Sequence, residues 1–279
     1  MMHGREKSDP VIVAMKSPNK TGEPAAEVME RRAGAEENAS QHRTRRAQNR
    51  ESVSQTLERV REAARLRKKE RFTALFHHIS VELLEAVFRE LNSDAAAGID
   101  GLRWKDYEAD LKHNLEVLHQ RLHRGAYRAL PARRRYIPKP DGRQRPLAVT
   151  ALEDKIVQRA VVAVLSAIYE EDFLGLSYGF RPNRGAHDAL DALVVGISST
   201  KVNWIVDADI RSFFDEISQS WIIRFLKHRI GDPRIIRLIQ KFLKAGILED
   251  GALTVSDKGT VQGSVMTPLT QKITSALSA

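Results

Sequence analysis

Apolar residues recur at three- and four-residue spacing along most of this chain, most clearly over 153–172. There Ile156, Val157, Ala160, Val161, Val164, Leu165 and Ile168 form a wide stripe, with Glu153 and Asp154 at the positive end of the helix they predict. The same period predicts helices over 80–92 (Val81, Leu84, Val87, Phe88, Leu91), 104–124 (Tyr107, Leu111, Leu115, Leu118, Leu122), 184–197, 218–230 and 232–245. A looser spacing of Leu57, Val60, Ala64 and Leu66 predicts another over 53–71. Elsewhere the residues are β-compatible. Short runs from Arg135 to Lys139 and from Arg143 to Leu147 flank Pro140-Asp141-Gly142, a hairpin signal. The β-branched run Val202, Trp204, Ile205, Val206 predicts a strand over 202–209, and two short strands flank Glu249-Asp250-Gly251. Ala97 to Gly101 reads as a turn, and Gly259 to Gly263 as a polar turn leading into a last helix-like stretch. Helices and strands mix without strict alternation and no fixed repeat is visible, so the fold class is α+β.

Composition narrows the picture only where charge is concentrated. The chain has 279 residues, is 42% hydrophobic and carries a net charge of +9, which points to a polyanionic partner such as nucleic acid. Residues 1–52 are rich in Pro, Gly, Glu, Arg, Asn and Gln without sustained periodicity, and read as a mobile basic leader. There is no cysteine, which excludes disulfides and thiolate metal sites. The longest early apolar run, Val11 to Met15, is too short for a signal or membrane segment. The expected location is cytoplasmic, with no membrane partner.

Two places carry candidate chemistry. Window 121–145 holds nine Arg or Lys and one acid, Asp141. Lys139 and Arg145 sit on opposite arms of the hairpin and could converge on one phosphate, Arg bidentately and Lys as a point charge; a merely soluble hairpin is the alternative. Arg133 and Arg134 belong to the same window. Window 41–70 carries ten Arg or Lys against four Glu, a local +6, and Arg65, Arg67, Lys68 and Lys69 make it either a solvated helix face or an arm on a phosphate backbone. At the other place, Asp207 and Asp209 fall on one face of the predicted strand, with Asp215 beyond a turn carrying Phe213 and Phe214. Carboxylates so placed suit a hard cation such as magnesium. Equally, Asp215 caps a helix and Asp207 pairs with an arginine.

Several motifs in order resemble group II intron reverse transcriptases (maturases). They are Gly98-Ile99-Asp100-Gly101, Tyr136-Ile137-Pro138-Lys139 through Arg145-Pro146-Leu147, Leu152 to Gln158, Ser177-Tyr178-Gly179-Phe180-Arg181-Pro182, Asp209 to Asp215, and Gly259 to Pro268. The resemblance runs from about residue 57 to about 269. It implies the right-hand fold of that family: fingers-like residues 53–198 with an N-terminal template segment, then a partial palm over 199–279 and no thumb. It implies RNA-directed DNA synthesis with Mg2+, on an RNA template or intron RNA, with a DNA primer and deoxynucleoside triphosphates as partners. Asp209 then matches the first catalytic, metal-binding aspartate, with the Ile210 carbonyl beside the metals. Lys139 and Arg145 match residues that hold the incoming triphosphate, Phe214 the aromatic gate against a ribose 2′-hydroxyl, and Gln262 the turn lining the nucleotide pocket. Gly98, Asp100 and Gly101 match the segment over the template. Arg181 is either structural or template-facing.

The chain also departs from that pattern. Val261 stands where the family usually has proline before Gln-Gly, which leaves φ unfixed, and Ser264 follows Gly263 where Gly or Ala is usual. After Pro268-Leu269 the family's apolar helix is replaced by Thr270 to Ala279, and no aromatic-Ala-Asp-Asp run is present. The expectation is a truncated polymerase, inactive alone, arising from a frameshift or premature stop near residue 270 or from deliberate shortening, with a complementing C-terminal chain as a further partner. The alternatives are a non-enzymatic RNA-binding fragment and a degenerate product without a role.

Overall fold

A computed structural model describes residues 33–138, 142–207, 213–261 and 263–278. The chain divides into two units, Met1–Thr44 and Arg45–Ala279, and all that follows concerns the second. Its elements are α1 (Ala33–Leu66, which begins in the first unit), α2 (Val81–Arg89), α3 (Trp104–Glu108), α4 (Leu111–His123), β1 (Ala132–Pro138), β2 (Gln144–Val149), α5 (Leu152–Tyr169), α6 (Ala186–Ser199), α7 (Phe213–Glu216), α8 (Gln219–Arg229), α9 (Pro233–Lys244), β3 (Ile247–Glu249), β4 (Ala252–Thr254) and α10 (Thr267–Ser278). A 3-10 turn, Phe76–His78, precedes α2. The mixture is α+β, as the pattern predicts. Helix α1 starts at Ala33 rather than Val53, inside the segment read as leader, and stops at Leu66.

The strongest apolar stripe makes the central element. In α5, Ile156, Val157, Ala160, Val161, Val164 and Ile168 lose all contact with solvent, and α2, α4, α8, α9 and α10 contribute to the same core. Local chemistry fixes where the surrounding helices begin. The Ser80 hydroxyl accepts the Leu83 N–H at 3.2 Å to cap α2. Asp232 caps α9, with Pro233 in the first turn where the missing N–H costs nothing. Its buried carboxylate accepts from Arg234 N (2.9 Å), Leu75 N (2.8 Å) and Phe76 N (2.9 Å), so one side chain joins α9 to the 3-10 turn. Those three donors hold its pKa below the ordinary value against the opposing effect of burial.

Arg229, at the end of α8, is also buried. It donates to Asp172 at 2.7 Å and 3.2 Å and to the carbonyls of Arg67 and Glu70 at 2.8 and 2.6 Å. The chain leaving α1 is thereby tied to the chain leaving α5. Arg181 has a comparable role, bonded to Glu170 (2.7 Å) and the carbonyls of Leu174 (2.9 Å) and Ser177 (3.0 Å). Of its two readings, the structure gives the structural one.

One sheet is present among the described residues, in the order β2-β1-β3-β4. The arms of the predicted hairpin pair antiparallel from Arg133↔Val149 to Pro138↔Gln144. β3 and β4 form the second hairpin around Asp250-Gly251, both at positive φ, the geometry a two-residue turn needs to match strand twist. The predicted strand 202–209 is different. Residues 202–207 are exposed and without regular structure, and 208–212 lie outside the described residues. β-branched residues favour a pleated surface only when a neighbouring strand supplies the ladder, and none of the described strands pairs with 202–207.

Candidate nucleic-acid interface

The hairpin register sorts its arginines. Directly opposed residues of an antiparallel pair share a face, so Arg133, Arg135 and Ile137 lie with Val149, Leu147 and Arg145. Arg134 and Tyr136 lie on the other face with Ala148 and Pro146. On that second face, Arg134 pairs with Glu249 of β3 at 3.5 Å and the Tyr136 hydroxyl donates to the same carboxylate, which raises the phenol's pKa. Arg134 is therefore neutralised within the sheet. On the first face Arg135 and Arg145 are exposed and neither forms an ion pair with a described carboxylate. Arg135 had no separate role by sequence, though the period of two along β1 was enough to separate it from Arg134.

Arg133 instead supports the turn at Ala97 to Gly101. Its Nη2 donates to the Ala97 carbonyl at 2.6 Å, and Lys155 Nζ of α5 donates to the Ala96 carbonyl at 3.1 Å. Burial lowers the Lys155 ammonium pKa, and the charge of Asp100 opposes that shift. Asp100 accepts the Leu102 N–H at 3.3 Å, and Gly101 adopts φ +71°. Gly98 is required by a close approach: a β-carbon there would lie 2.5 Å from the Ala151 Cα. Lys155 falls within the Leu152 to Gln158 motif but had no role of its own by sequence, because that role depends on a segment far away in the chain.

The second glycine turn reaches the same place. Gly263 sits at φ +100°, and a β-carbon on it would come within 2.9 Å of the Ala148 carbonyl. Ser264 donates to Gln158 of α5 at 2.8 Å, and both side chains are buried. The Val261 carbonyl accepts from Ser264 N at 3.0 Å and from Thr267 Oγ1 at 2.9 Å. This gives a physical account of Ser264 at a position where Gly or Ala was expected: its hydroxyl tethers the turn to α5. The two turns thus flank 148–151, the junction of β2 with α5, from which the Arg135/Arg145 face projects.

Other predicted site residues fall elsewhere. Arg65 is bonded to Glu171 at 3.1 and 3.3 Å, and Arg67 pairs with Glu70 at 3.6 Å; Lys68 and Lys69 are exposed beside them. Glu171 follows the C-terminal end of α5, whereas Gly98 packs at its N-terminal end. At 1.5 Å per residue those ends are about 27 Å apart, so Arg65 to Lys69 do not share one phosphate with Arg145. Lys139, Asp209, Ile210 and Gln262 lie outside the described residues, and Phe214 lies in α7 with its side chain undescribed. Asp207 and Asp215 are exposed. Among the described residues no group of three or more His, Cys, Asp or Glu is placed to hold a metal ion. The described residues therefore do not fit a magnesium site by themselves. Nor is any helix among them long and apolar enough to cross a membrane.

Comparison with known proteins identifies the family. Residues 137–276 match the family model "Reverse transcriptase (RNA-dependent DNA polymerase)". Protein YkfC of Escherichia coli (strain K12) is 38% identical over 196 residues, 68% of this chain and 51% of that protein. Group II intron-encoded protein LtrA of Lactococcus lactis subsp. cremoris is 32% identical over 219 residues, 78% of this chain and 36% of LtrA. A solved "Partial Cas6-RT-Cas1--Cas2 complex" overlays 70% of this chain and 32% of its own with a TM-score of 0.45 at 22% identity. The chain spans about half the length of the first relative and about a third of the second. The match takes in the last two residues of β1, the whole of β2, the junction with α5 and the turn that Ser264 tethers, and with it this chain belongs to the reverse transcriptase family, among the group II intron-encoded reverse transcriptases and maturases.

Proposed function

We propose that these residues form the RNA- and nucleotide-facing part of an RNA-directed DNA polymerase, and that in these 279 residues this part binds nucleic acid without completing the chemistry. The observation that carries the reading is the convergence of the Arg135/Arg145 face with the Gly98 and Gly263 turns at 148–151. Phosphoryl transfer of this kind asks the protein chiefly for positioning and charge neutralisation. Here the exposed guanidinium groups supply forked donors for phosphate oxygens, while Arg133 and Lys155 hold the Gly98 turn rigid beside them. RNA is recognised largely through backbone and shape, which suits such a surface.

Magnesium, a DNA primer and deoxynucleoside triphosphates belong to the complete reaction. The sequence holds one aspartate matching a palm ligand, Asp209, and no adjacent Asp pair. The remaining carboxylates are proposed to come from further polypeptide, continuous with this one or supplied in trans. Primer extension on an RNA template in magnesium tests this: the 279-residue chain is expected to give no product. Extension by the wild-type chain that Asp209→Ala abolishes would overturn the reading. For the binding half, Arg135→Gln/Arg145→Gln removes two phosphate contacts, so the log–log salt slope for single-stranded RNA falls by about 1.4. An unchanged slope and affinity would count against the interface.

A further inference from the structure

A second basic site lies between the end of α4 and the start of α9. A cavity of about 390 Å³ opens there, sharing no lining residue with the interface above. Its floor is apolar, with Phe76, Leu122 and Leu238 all buried. Its rim carries Arg124, Arg234, Arg237 and Lys241, and no lining residue is acidic.

The partners of these four cations matter, because a paired guanidinium is poorly placed for a ligand. Lys241 spends two of its three N–H donors on the carbonyls of Gly125 (3.2 Å) and Tyr127 (2.5 Å), which fix its position without neutralising it. Arg234 lies 4.9 Å over the Phe76 ring, and its Nε is 3.6 Å from Asp232. That carboxylate is already engaged by three backbone N–H groups. Arg237 uses Nε on the Pro233 carbonyl at 3.3 Å, leaving its terminal nitrogens. Among the described residues neither Arg124 nor Arg237 nor Lys241 has a carboxylate within ion-pair distance. Four positive charges around one concavity repel one another unless an anion sits among them. Three arginines present forks matched to phosphate oxygens, and the floor offers an aromatic ring and two leucines for the apolar part of a nucleotide.

We infer that this cavity is a second nucleic-acid site, which takes a phosphate of a single-stranded RNA between Arg124, Arg234, Arg237 and Lys241. The inference rests on the proposed RNA partner and names where, apart from the hairpin, that partner is held. Strand binding engages both sites, so the footprint of the RNA is longer than the hairpin alone can cover.

The test uses the full 279-residue chain and a labelled single-stranded RNA, with binding read by fluorescence anisotropy over a salt series. Arg124→Gln/Arg237→Gln is expected to weaken binding about tenfold at low salt and to lower the log–log slope by about 1.4, with the melting temperature unchanged because both side chains are exposed. Arg124→Lys/Arg237→Lys restores the slope, since charge is kept, but not the full affinity, since the forks are lost. Wild-type affinity and slope in the Gln pair, while Arg135→Gln/Arg145→Gln weakens binding, would overturn the cavity and leave the hairpin interface standing. Loss in the cavity variant alone would support the cavity and overturn the hairpin. No effect in either would overturn both. Adenosine monophosphate is the probe for a free nucleotide: displacement of the RNA by it at matched phosphate concentration would overturn the assignment to a strand.

Discussion

The helices α5 and α6 are both rich in aliphatic residues and both form, yet they end in opposite environments. Twelve residues of α5 are buried, whereas no residue of α6 is. After α6 the contrast sharpens, with Trp204 at 89% exposure and Val206 at 87%. A helix closes its own backbone hydrogen bonds, so α6 forms with none of its residues buried; an extended segment needs a partner strand, so 202–207 has no regular structure. Local sequence sufficed for one state and not for the other.

That contrast can be broken or sharpened by substitution. The largest effect is expected at Arg229. Replacing it by Met leaves Asp172 without its partner and the carbonyls of Arg67 and Glu70 without their donor, at a cost of about 3–5 kcal/mol in urea unfolding. Phe88→Ala should cost a similar ~3–5 kcal/mol, since the ring is fully buried and stacked on Trp104 at 4.8 Å. A loss below 1 kcal/mol at both sites, on the order of a surface change, would mean that the packed half is no better held than α6.

Next comes a pH effect specific to the packed half. Burial lifts the Asp154 carboxyl from 3.8 to about 6, although the Tyr127 hydroxyl and the Leu130 N–H (2.9 Å) both favour the charged form. The folded state thus holds the proton more tightly than the unfolded state. Stability from this group is greatest below about pH 4 and falls as pH rises to about 6, by on the order of 3 kcal/mol, then levels. Asp154→Asn should flatten that window in denaturant titrations at stepped pH; an unaltered pH profile would contradict it.

Much of this was legible from local pattern. The helices at α2, α4, α5, α8 and α9 and both arms of the basic hairpin follow from periodicity and turn chemistry, which act within a few residues. The interface was legible in its components and not in its grouping. Arg133, Arg134 and Arg135 are adjacent in sequence, but only the pairing of β1 with β2 and β3 shows that one props the Gly98 turn, one meets Glu249 and one faces outward. Arg65 to Lys69 look equivalent to them by charge, and lie at the other end of α5.

Smaller effects complete the series. Gly98→Ala forces a β-carbon to within 2.5 Å of backbone, where nothing flexible can yield, and should cost about 1–3 kcal/mol together with weaker RNA binding. Retention of wild-type stability and affinity would show that the turn can move away from Ala151. The smallest effect belongs to α6. Leu193→Ser/Val194→Ser should change unfolding free energy by no more than about 0.5 kcal/mol per site while reducing self-association in light scattering. A large loss of stability there would mean that α6 is packed after all.

The tether from Ser264 to Gln158 has a thermal consequence. A proline before the glycine turn would limit its conformations by geometry, a restraint that heating does not remove. This chain has Val261 there and relies on a hydroxyl–amide bond and two donors to one carbonyl. Such bonds are enthalpic, and their hold weakens as temperature rises. The turn beside Ala148 is therefore expected to loosen on warming before the core around α5 does, and amide hydrogen exchange at Ser264 over a temperature series checks it.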